Sequence, residues 1–130
     1  MVLGNLSSQI GQRSEQGNRR MAAFILENPE SLTEIMEGLI QKKADLLGDC
    51  AEVCTMIAEQ NPELVAPLAE NLLPLLHHKS TRVRWESIHA LALVTTFAPE
   101  LIQNAIPLLE TMFRNDKSTI VRDYAIIAAG

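Results

Sequence analysis

Three phrases of the form Asn/Ala-Pro-Glu constrain the fold of this chain more than any other feature of its sequence. They occur at Asn28–Glu30, Asn61–Glu63 and Ala98–Glu100, with spacings of 33 and 37 residues. Asparagine is a favourable helix N-cap, and proline fits the first helical position because its missing N–H would be unpaired there. Glutamate suits the positive end of the helix dipole. Each phrase therefore predicts a helix start, and the spacing is typical of helical repeat arrays.

Apolar residues follow these starts at the spacing of one helical face. In the first unit they are Leu32, Ile35, Met36, Leu39 and Ile40, and on a second helix over about 45–59 they are Leu46, Cys50, Val53, Cys54 and Ile57. In the second unit they are Leu64, Leu68, Leu72 and Leu75, and on a second helix over about 82–97 they are Val83, Ile88, Leu91 and Val94. No segment shows the period-two alternation of a strand, so we expect an all-α chain of seven helices.

The pattern Lys-Ser-Thr-x-Val-Arg joins the two helices of the second and third units. It occurs at Lys79–Arg84 and again 38 residues later at Lys117–Arg122. The lysine suits the negative end of the preceding helix, and Ser80 or Thr81 can cap the next one. The recurrence therefore predicts a structural joint that is used once per unit.

This joint and its flanking helices resemble a HEAT repeat. The HEAT pattern runs from an apolar helix through an aspartate and a short turn to a Val-Arg pair that opens a second apolar helix. In the last unit these places hold Asp116, Val121, Arg122 and Ala125. In the second unit Val83 and Arg84 form the pair, and His78 stands in place of the aspartate. The first unit has Leu46-Leu47 instead of Val-Arg.

The resemblance implies a right-handed α-solenoid of about three HEAT-like helix pairs preceded by one half-repeat. The half-repeat would begin at residue 19, and the pairs would span about 28–60, 61–97 and 98–130. The resemblance also implies that Arg84 and Arg122 reach back to carbonyls or to an acid of their turns. The prolines of the first helices, Pro67, Pro74 and Pro107, align between units only with gaps, so individual units are expected to be kinked differently.

The two ends of the chain carry separate expectations. Residues 1–18, which contain Gly4, Gly11 and Gly17, are expected to form a flexible arm ahead of a solenoid domain over 19–130. The last helix, over 120–130, is short and ends in the apolar run Ala-Ile-Ile-Ala-Ala-Gly. An array normally closes with a polar cap, so this end predicts either a piece of a longer array or self-association.

Composition narrows the class of protein. A net charge of −5 disfavours a nucleic-acid partner, and no apolar run approaches the length of a membrane span. Two cysteines do not make a disulfide framework, which favours a reducing, cytoplasmic location.

Motifs for catalysis and for cofactor binding are missing from the sequence. Cys50 and Cys54 lie on a predicted buried face, and no zinc-site spacing accompanies them or the histidines. Glu86 and His89 resemble half of a di-iron ligand set, with no second copy. Phosphate loops and nucleophile elbows do not occur. We therefore expect no metal, no cofactor and no catalytic site.

A charge pattern gives the one candidate site. Eight of the eleven basic residues fall at turns between paired helices. Arg82, Arg84 and Arg122 open second helices, where positive charge is unfavourable, so an internal acid or an external anion should pair with them. In the middle turn only Glu86 lies nearby in sequence, which favours an acidic segment of a partner protein there. The predicted partner-binding residues are Lys79, Arg82, Arg84, Trp85, Lys117 and Arg122.

The sequence thus favours a non-catalytic protein–protein interaction scaffold or adaptor of HEAT-repeat type. A solvated basic edge is the alternative interpretation of the charge pattern. The alternative function is an enzyme or nucleic-acid binder on the same scaffold, similar to HEAT-like DNA glycosylases or bilin lyases. We expect that exchanging Lys79 and Arg82 together for glutamate leaves folding intact and weakens partner binding.

Overall fold

A computed structural model describes residues 2–11 and 15–115, and every regular element in these ranges is helical. The α-helices are α1 (Gln16–Glu27), α2 (Leu32–Gly38), α3 (Ala44–Gln60), α4 (Pro62–Val65), α5 (Ala69–Leu72), α6 (Thr81–Val94) and α7 (Pro99–Asn115). Short 3₁₀ segments lie at Leu3–Asn5, Pro29–Ser31, Ala66–Leu68, Leu73–His77 and Thr95–Phe97. The prediction of an all-α chain is confirmed for this part of the sequence.

The three Pro-Glu phrases begin helical segments as predicted. Pro29 opens the 3₁₀ turn that leads into α2, while Pro62 and Pro99 open α4 and α7. The expected capping role of the asparagines is wrong, because neither Asn28 nor Asn61 makes a side-chain cap hydrogen bond. The Asn28 amide instead donates to the Phe24 carbonyl at 3.0 Å, so it closes the end of α1.

Prolines divide the first helix of the second unit. The chain from Pro62 to His77 alternates between α4, a 3₁₀ turn, α5 and a second 3₁₀ segment, with Pro67 and Pro74 each near the start of a 3₁₀ piece. Proline lacks the N–H of the helical ladder and its ring crowds the preceding turn, so the α-helix cannot continue unbroken. Pro107, by contrast, lies inside α7, which continues to Asn115.

The helices pack around α3. This helix contacts α1 and α6, and it also contacts α2. Helix α6 in turn contacts α5 and the 3₁₀ segment Leu73–His77. Helices α1, α3 and α6, which are the predicted second helices of successive units, therefore follow one another as neighbours; we call them the α1–α3–α6 row. The core between the helices is aliphatic, with Ile25, Ile57 and Leu91 fully buried.

The predicted apolar face of α2 is only partly buried. Leu32, Ile35 and Leu39 face the core, whereas Met36 is 38% exposed and Ile40 is 70% exposed. Helix α2 ends at Gly38, so Ile40 lies beyond the helix and no longer follows its face. The helical spacing predicted the core residues and overestimated the width of the buried stripe.

The N-terminal segment differs from the flexible arm that the sequence predicts. Val2 and Leu6 are buried in the same core as the helices, and α1 begins at Gln16 rather than at Arg19. Gly17 is buried within α1, where an added Cβ would lie 3.0 Å from the Ser7 Cα. This glycine therefore permits close packing of the N-terminal segment on α1.

Several predictions fall on residues 116–130, outside the described residues. They include the joint of the third unit with Lys117 and Arg122, the aspartate Asp116 that matches the HEAT pattern, and the apolar end with its predicted self-association. None of the helices within the described ranges combines the length and apolar character needed to cross a membrane.

Candidate functional site

A buried aspartate organises the polar interior of the molecule. Asp49 of α3 is only 1% exposed, and its carboxylate accepts hydrogen bonds from the Ser8 backbone N–H, the Asn18 side-chain amide and the Arg82 guanidinium, each at 2.9 Å. Burial alone would raise the pKa of Asp49, but these hydrogen bonds outweigh it and hold the pKa below its usual value. One carboxylate thus connects the N-terminal segment, α1, α3 and α6.

Asn18 extends this network in both directions. Its amide nitrogen also donates to Glu52 at 2.7 Å, while its amide oxygen accepts from the Ser7 backbone N–H at 2.9 Å. The Ser7 hydroxyl in turn accepts from the Asn18 N–H at 3.0 Å. Because the side-chain amide and the backbone N–H of this buried asparagine are all engaged, the segment before α1 is held in a defined position.

Arg82 is paired inside the protein, which corrects the interpretation of the middle turn. Its guanidinium nitrogens lie 2.9 Å from Asp49, 3.7 Å from Glu86 and 4.0 Å from Glu52. The guanidinium rests against Gly48, where an added Cβ would lie 2.7 Å from Nη1. The expectation that only Glu86 is near is therefore wrong. Asp49 is 33 residues away in sequence and reaches Arg82 only through the packing of α3 on α6.

Arg84 has the structural role that the HEAT resemblance implied. Its Nη1 donates to the carbonyls of His78 and Lys79 at 2.9 and 3.0 Å, and its Nη2 donates to the Thr81 hydroxyl at 3.2 Å. These bonds close the turn before α6. The prediction that Arg84 reaches back to carbonyls is confirmed.

The two remaining features of the joint also have structural partners. The Ser80 hydroxyl accepts from the Val83 N–H at 3.3 Å and caps α6, as predicted. His78 accepts a hydrogen bond at Nδ1 from the Ser80 N–H at 3.0 Å. The imidazole thus helps to close the turn before α6.

The predicted partner-binding residues therefore differ in their exposure and in their contacts within the protein. Lys79 lies exposed on the turn, and Trp85 is partly buried against the core. Arg82 and Arg84 are engaged within the protein. Lys117 and Arg122 belong to the undescribed part of the chain.

A cleft of about 270 Å³ crosses the α1–α3–α6 row and brings together residues that the sequence did not link. Four glutamates line it: Glu15, Glu52, Glu59 and Glu86. The other charged or aromatic side chains of its lining are Arg19, Trp85 and His89. We call this groove the acidic cleft, because its carboxyl groups outnumber its cationic groups.

Glu86 is the most perturbed carboxyl group of the cleft. The residue is 5% exposed, and burial raises its pKa to about 8, with further contributions from a hydrogen bond to Glu52 and from the charge of Glu52. The positive charge of Arg82 acts in the opposite direction but does not cancel these effects. Burial and the neighbouring Glu52 therefore favour the protonated form of Glu86 over the ionised form more than in a solvated glutamate.

The cationic side chains of the cleft have different environments. Arg19 pairs with Glu15 one helical turn before it, and Glu59 and Glu52 add to the negative charge around this guanidinium. Burial lowers the pKa of His89, although the charge of Glu59 partly opposes this, so the environment disfavours the charged imidazole. Arg19 is thus the main positive charge lining the cleft.

Trp85 forms the aromatic part of the cleft lining. Its indole Nε1 is one of two buried side-chain polar atoms that have no hydrogen-bond partner among the described residues, and the other is Ser87 Oγ. A buried donor without an acceptor costs about 1–3 kcal/mol. The indole therefore occupies a position in which an added hydrogen-bond acceptor would be stabilising.

The two cysteines behave as apolar core residues. Cys50 and Cys54 are both free and fully buried, and burial raises the pKa of the Cys50 thiol to about 12 and that of Cys54 further. Across residues 2–11 and 15–115, no group of three or more His, Cys, Asp or Glu side chains is placed to hold a metal ion.

Sequence reasoning missed Asn18, Asp49 and Glu52, and one signal was available. Asp49 directly precedes Cys50, a residue of the apolar stripe of α3, so its charged side chain starts close to a buried face. A charge in that position requires a partner. The partner itself could not be read from the sequence, because it comes from another helix.

Comparison of this chain with protein-family models, curated proteins and solved structures found no match. The resemblance to HEAT repeats accordingly remains a prediction.

Proposed function

We propose that this chain is a non-catalytic protein–protein interaction module: a right-handed α-solenoid of HEAT-like helix pairs that binds its partner along the α1–α3–α6 row. The observation that carries the proposal is the acidic cleft. It crosses three helices and is lined by charged side chains and an aromatic ring, a combination suited to holding a segment of another protein.

The packing of the helices supports the solenoid part of the proposal. In an array of helix pairs, each second helix lies beside the second helices of its neighbours, and α3 contacts both α1 and α6 in this way. The joint at Lys79–Arg84 supports the HEAT-like part, since Arg84 and Ser80 close the turn and cap α6.

An enzyme on the same scaffold is the alternative, and one observation favours it. Burial raises the pKa of Glu86 to about 8, and a raised pKa is what a carboxyl group needs to act as a general acid. The charge of the cleft argues against its use for a nucleic acid, because four glutamates would repel a phosphate backbone. A DNA glycosylase-like activity is therefore less consistent with this cleft than binding of a protein, and nothing in the cleft specifically favours a bilin lyase.

The predicted acidic partner at the basic turn now depends chiefly on Lys79, since Arg82 and Arg84 have internal partners. Binding at the turn and binding in the cleft require partners of opposite charge. They can therefore be separated by charge reversal at exposed positions.

Affinity capture from a native cell extract with quantitative mass spectrometry tests the proposal. Glu59→Lys changes the charge of the cleft, and Glu63→Lys makes the same change at an exposed position of α4 outside the cleft. We expect the wild-type chain and Glu63→Lys to retain the same proteins, and Glu59→Lys to lose them.

A third variant, Lys79→Glu, tests the basic turn. Selective loss of proteins by this variant would place an acidic partner there and would still support an interaction module. If no retained protein depends on either surface, the proposed function is wrong.

A further inference from the structure

Residues 2–8 of the N-terminal segment lie in a groove between α1, α2 and α3, and they are held there as a peptide ligand would be. Their short 3₁₀ turn contacts α1 and α2. Val2 and Leu6, four residues apart, are 1% and 0% exposed and belong to the same apolar core as these helices. Two apolar anchors at this spacing are typical of a helical segment bound in a groove.

Side chains of the three helices bind the main chain of this segment. Each helix provides one acceptor for a backbone N–H, and the acceptors are separated from their donors by 11 to 41 residues along the chain. The pairs are Val2 N–H with Glu34 of α2 at 2.8 Å, Ser7 N–H with Asn18 of α1 at 2.9 Å and Ser8 N–H with Asp49 of α3 at 2.9 Å. The groove therefore recognises the segment through groups that lie far from it in the sequence.

Two glycines shape the groove for close approach of the segment. On α1, a Cβ added at Gly17 would lie 3.0 Å from the Ser7 Cα. On α2, a Cβ added at Gly38 would lie 2.9 Å from the Leu3 Cδ2. The segment contributes in return, because the Ser7 hydroxyl accepts a hydrogen bond at 3.0 Å from the Asn18 N–H in the first turn of α1. The groove and the segment are thus complementary in shape and in hydrogen bonding.

A short connection joins the segment to the helix on which it docks. Residues 8–16 lead from Ser7 back to Gly17, against which Ser7 packs. A short connection gives docking within one molecule an effective concentration on the order of 1 mM. The same segment from a second molecule would make the same contacts. At comparable protein concentrations, docking between molecules therefore competes with docking within one molecule.

We propose that this groove is an intermolecular binding site, and that its ligand is the N-terminal segment of a second copy of this chain. Two copies exchange their segments reciprocally, so that both grooves stay filled and the assembly closes as a symmetric dimer. A second copy is the partner that fits, because it carries Val2, Leu6, Ser7 and Ser8 in the order that the groove binds. The inference is independent of the proposed function, since none of residues 2–8 lines the acidic cleft.

Refolding the full chain at two concentrations tests the exchange. The protein is unfolded in urea and refolded either at about 1 mM, close to the effective concentration of a short connection, or at about 1 µM, far below it. Both samples are then brought to the same concentration and compared by sedimentation velocity. We expect dimers after refolding at the high concentration and monomers after refolding at the low one. The dimers should persist after dilution, because separation requires release of both docked segments.

Three variants locate the contact within such a dimer. Leu6→Asp places a charge on a buried anchor, and Gly17→Leu fills the space that Ser7 occupies, so both should prevent docking and leave only monomers. Ile10→Asp is the matched control, because Ile10 is 40% exposed and lies beyond residues 2–8; it should dimerise as the wild type does. Circular dichroism shows which variants fold. Leu6→Asp and Gly17→Leu change opposite sides of the contact, so either one suffices if the other does not fold.

Mixing the two docking variants adds a direct test. Leu6→Asp keeps an intact groove and Gly17→Leu keeps an intact segment, so an equal mixture of the folded variants should form a heterodimer although neither variant dimerises alone.

A wild type that stays monomeric after refolding at the high concentration would overturn this inference. Dimers that survive Leu6→Asp or Gly17→Leu, or folded variants that do not pair when mixed, would overturn it as well. The proposed function depends instead on whether captured proteins respond to Glu59→Lys or Lys79→Glu, so the two can fail separately.

Discussion

Arg82 occupies a position where its own helix disfavours it. It lies in the first turn of α6, where the helix dipole opposes a positive charge, yet it is surrounded by Asp49, Glu52 and Glu86. Charge-assisted hydrogen bonding and ion pairing with several carboxylates oppose this unfavourable effect of the dipole, which amounts to about 0.3–1 kcal/mol at exposed sites and up to about 2 kcal/mol at partly buried ones. The side chain therefore acts as the cationic centre of a polar cluster in the interior.

Replacing Arg82 by alanine should destabilise the fold. Asp49 would stay buried without its cation, and we expect a loss of about 1–3 kcal/mol in the free energy of unfolding, reduced from the value for a fully buried pair because the Arg82 side chain is 40% exposed. Lys79→Ala, at an exposed neighbouring position, should change stability by less than about 0.5 kcal/mol. Urea denaturation measures both. Equal losses of unfolding free energy in the two variants would show that buried Asp49 does not need the charge of Arg82.

The contacts of Arg82 with these carboxylates contradict the expectation that exchanging Lys79 and Arg82 together for glutamate leaves folding intact. Lys79→Glu together with Arg82→Glu would place a further carboxylate beside Asp49, Glu52 and Glu86. Like charges at such distances are strongly unfavourable in a buried setting. We now expect the double variant to be destabilised, so Lys79→Glu alone is the suitable probe of the turn.

Glu86 should make the stability of the protein fall as the pH rises. Its pKa is raised by burial and by Glu52 from 4.5 to about 8, so the folded state binds a proton that the unfolded state releases between these values. The associated stability is complete below pH 4.5 and is lost as the pH rises through 8. Asp49 has the opposite behaviour, because its pKa is lowered and its contribution is lost in acid.

Glu86→Gln isolates this effect. The amide stays neutral at every pH, so we expect the variant to match the wild type near pH 5 and to exceed its stability by on the order of 1–3 kcal/mol at pH 9. Thermal unfolding across this pH range provides the measurement. A constant difference between the two proteins from pH 5 to pH 9 would mean that Glu86 is ionised throughout.

At the scale of elements, the N-terminal segment is held by hydrogen bonds to side chains of α1 and α3 and by close packing at a glycine of α1. Ser7 and Ser8 bond to Asn18 and Asp49, and the missing Cβ of Gly17 lets the Ser7 backbone lie against α1. Val2 and Leu6 then complete the apolar core. The segment is part of the folded domain because polar pairing and apolar burial act at the same contact.

Gly17→Ala tests this docking. The new methyl group would lie within 3.0 Å of the Ser7 backbone, so the segment must shift, and we expect a net loss of about 1 kcal/mol despite the better helix propensity of alanine. Gly4→Ala is the matched control, since nothing lies within 4 Å of its added Cβ. Denaturation gives the stabilities, and limited proteolysis of the first eleven residues reports the docking. A Gly17→Ala variant with the stability and the protease resistance of the wild type would show that the segment tolerates displacement.

At the scale of the whole molecule, α3 is enclosed by its neighbours, and its thiols report on that enclosure. Cys50 and Cys54 have no exposed surface, and burial raises the pKa of both thiols. Thiolate is the reactive form, so neither cysteine should react while the fold is closed.

Thiol labelling of the native protein should therefore be slow and should follow global unfolding. We expect no reaction at pH 8 on a timescale of minutes, and rapid reaction of both thiols in denaturant. The labelling rate should rise with urea in parallel with the unfolded population, because exposing the middle of α3 requires its separation from α1 and α6. Fast labelling of either cysteine in the native protein would indicate local opening of this helix.

The sequence by itself determined the local features. Pro-Glu phrases set helix starts, helical spacing identified most of the core, and Ser80 and Arg84 closed their turn as the joint predicted. These features depend on residues a few positions apart, whose geometry is fixed once a helix forms. The order of elements and the all-α class follow from such short-range rules.

Only the tertiary structure decided how the charges are used. Arg82 seemed available to an external anion because its acid, Asp49, is 33 residues away. Val2 and Leu6 seemed part of an arm because a short segment gives no periodic signal. The Glu52–Glu86 pair exists because α3 packs against α6. Electrostatic pairing and burial depend on distances in space, and these distances are set by helix packing rather than by separation along the chain.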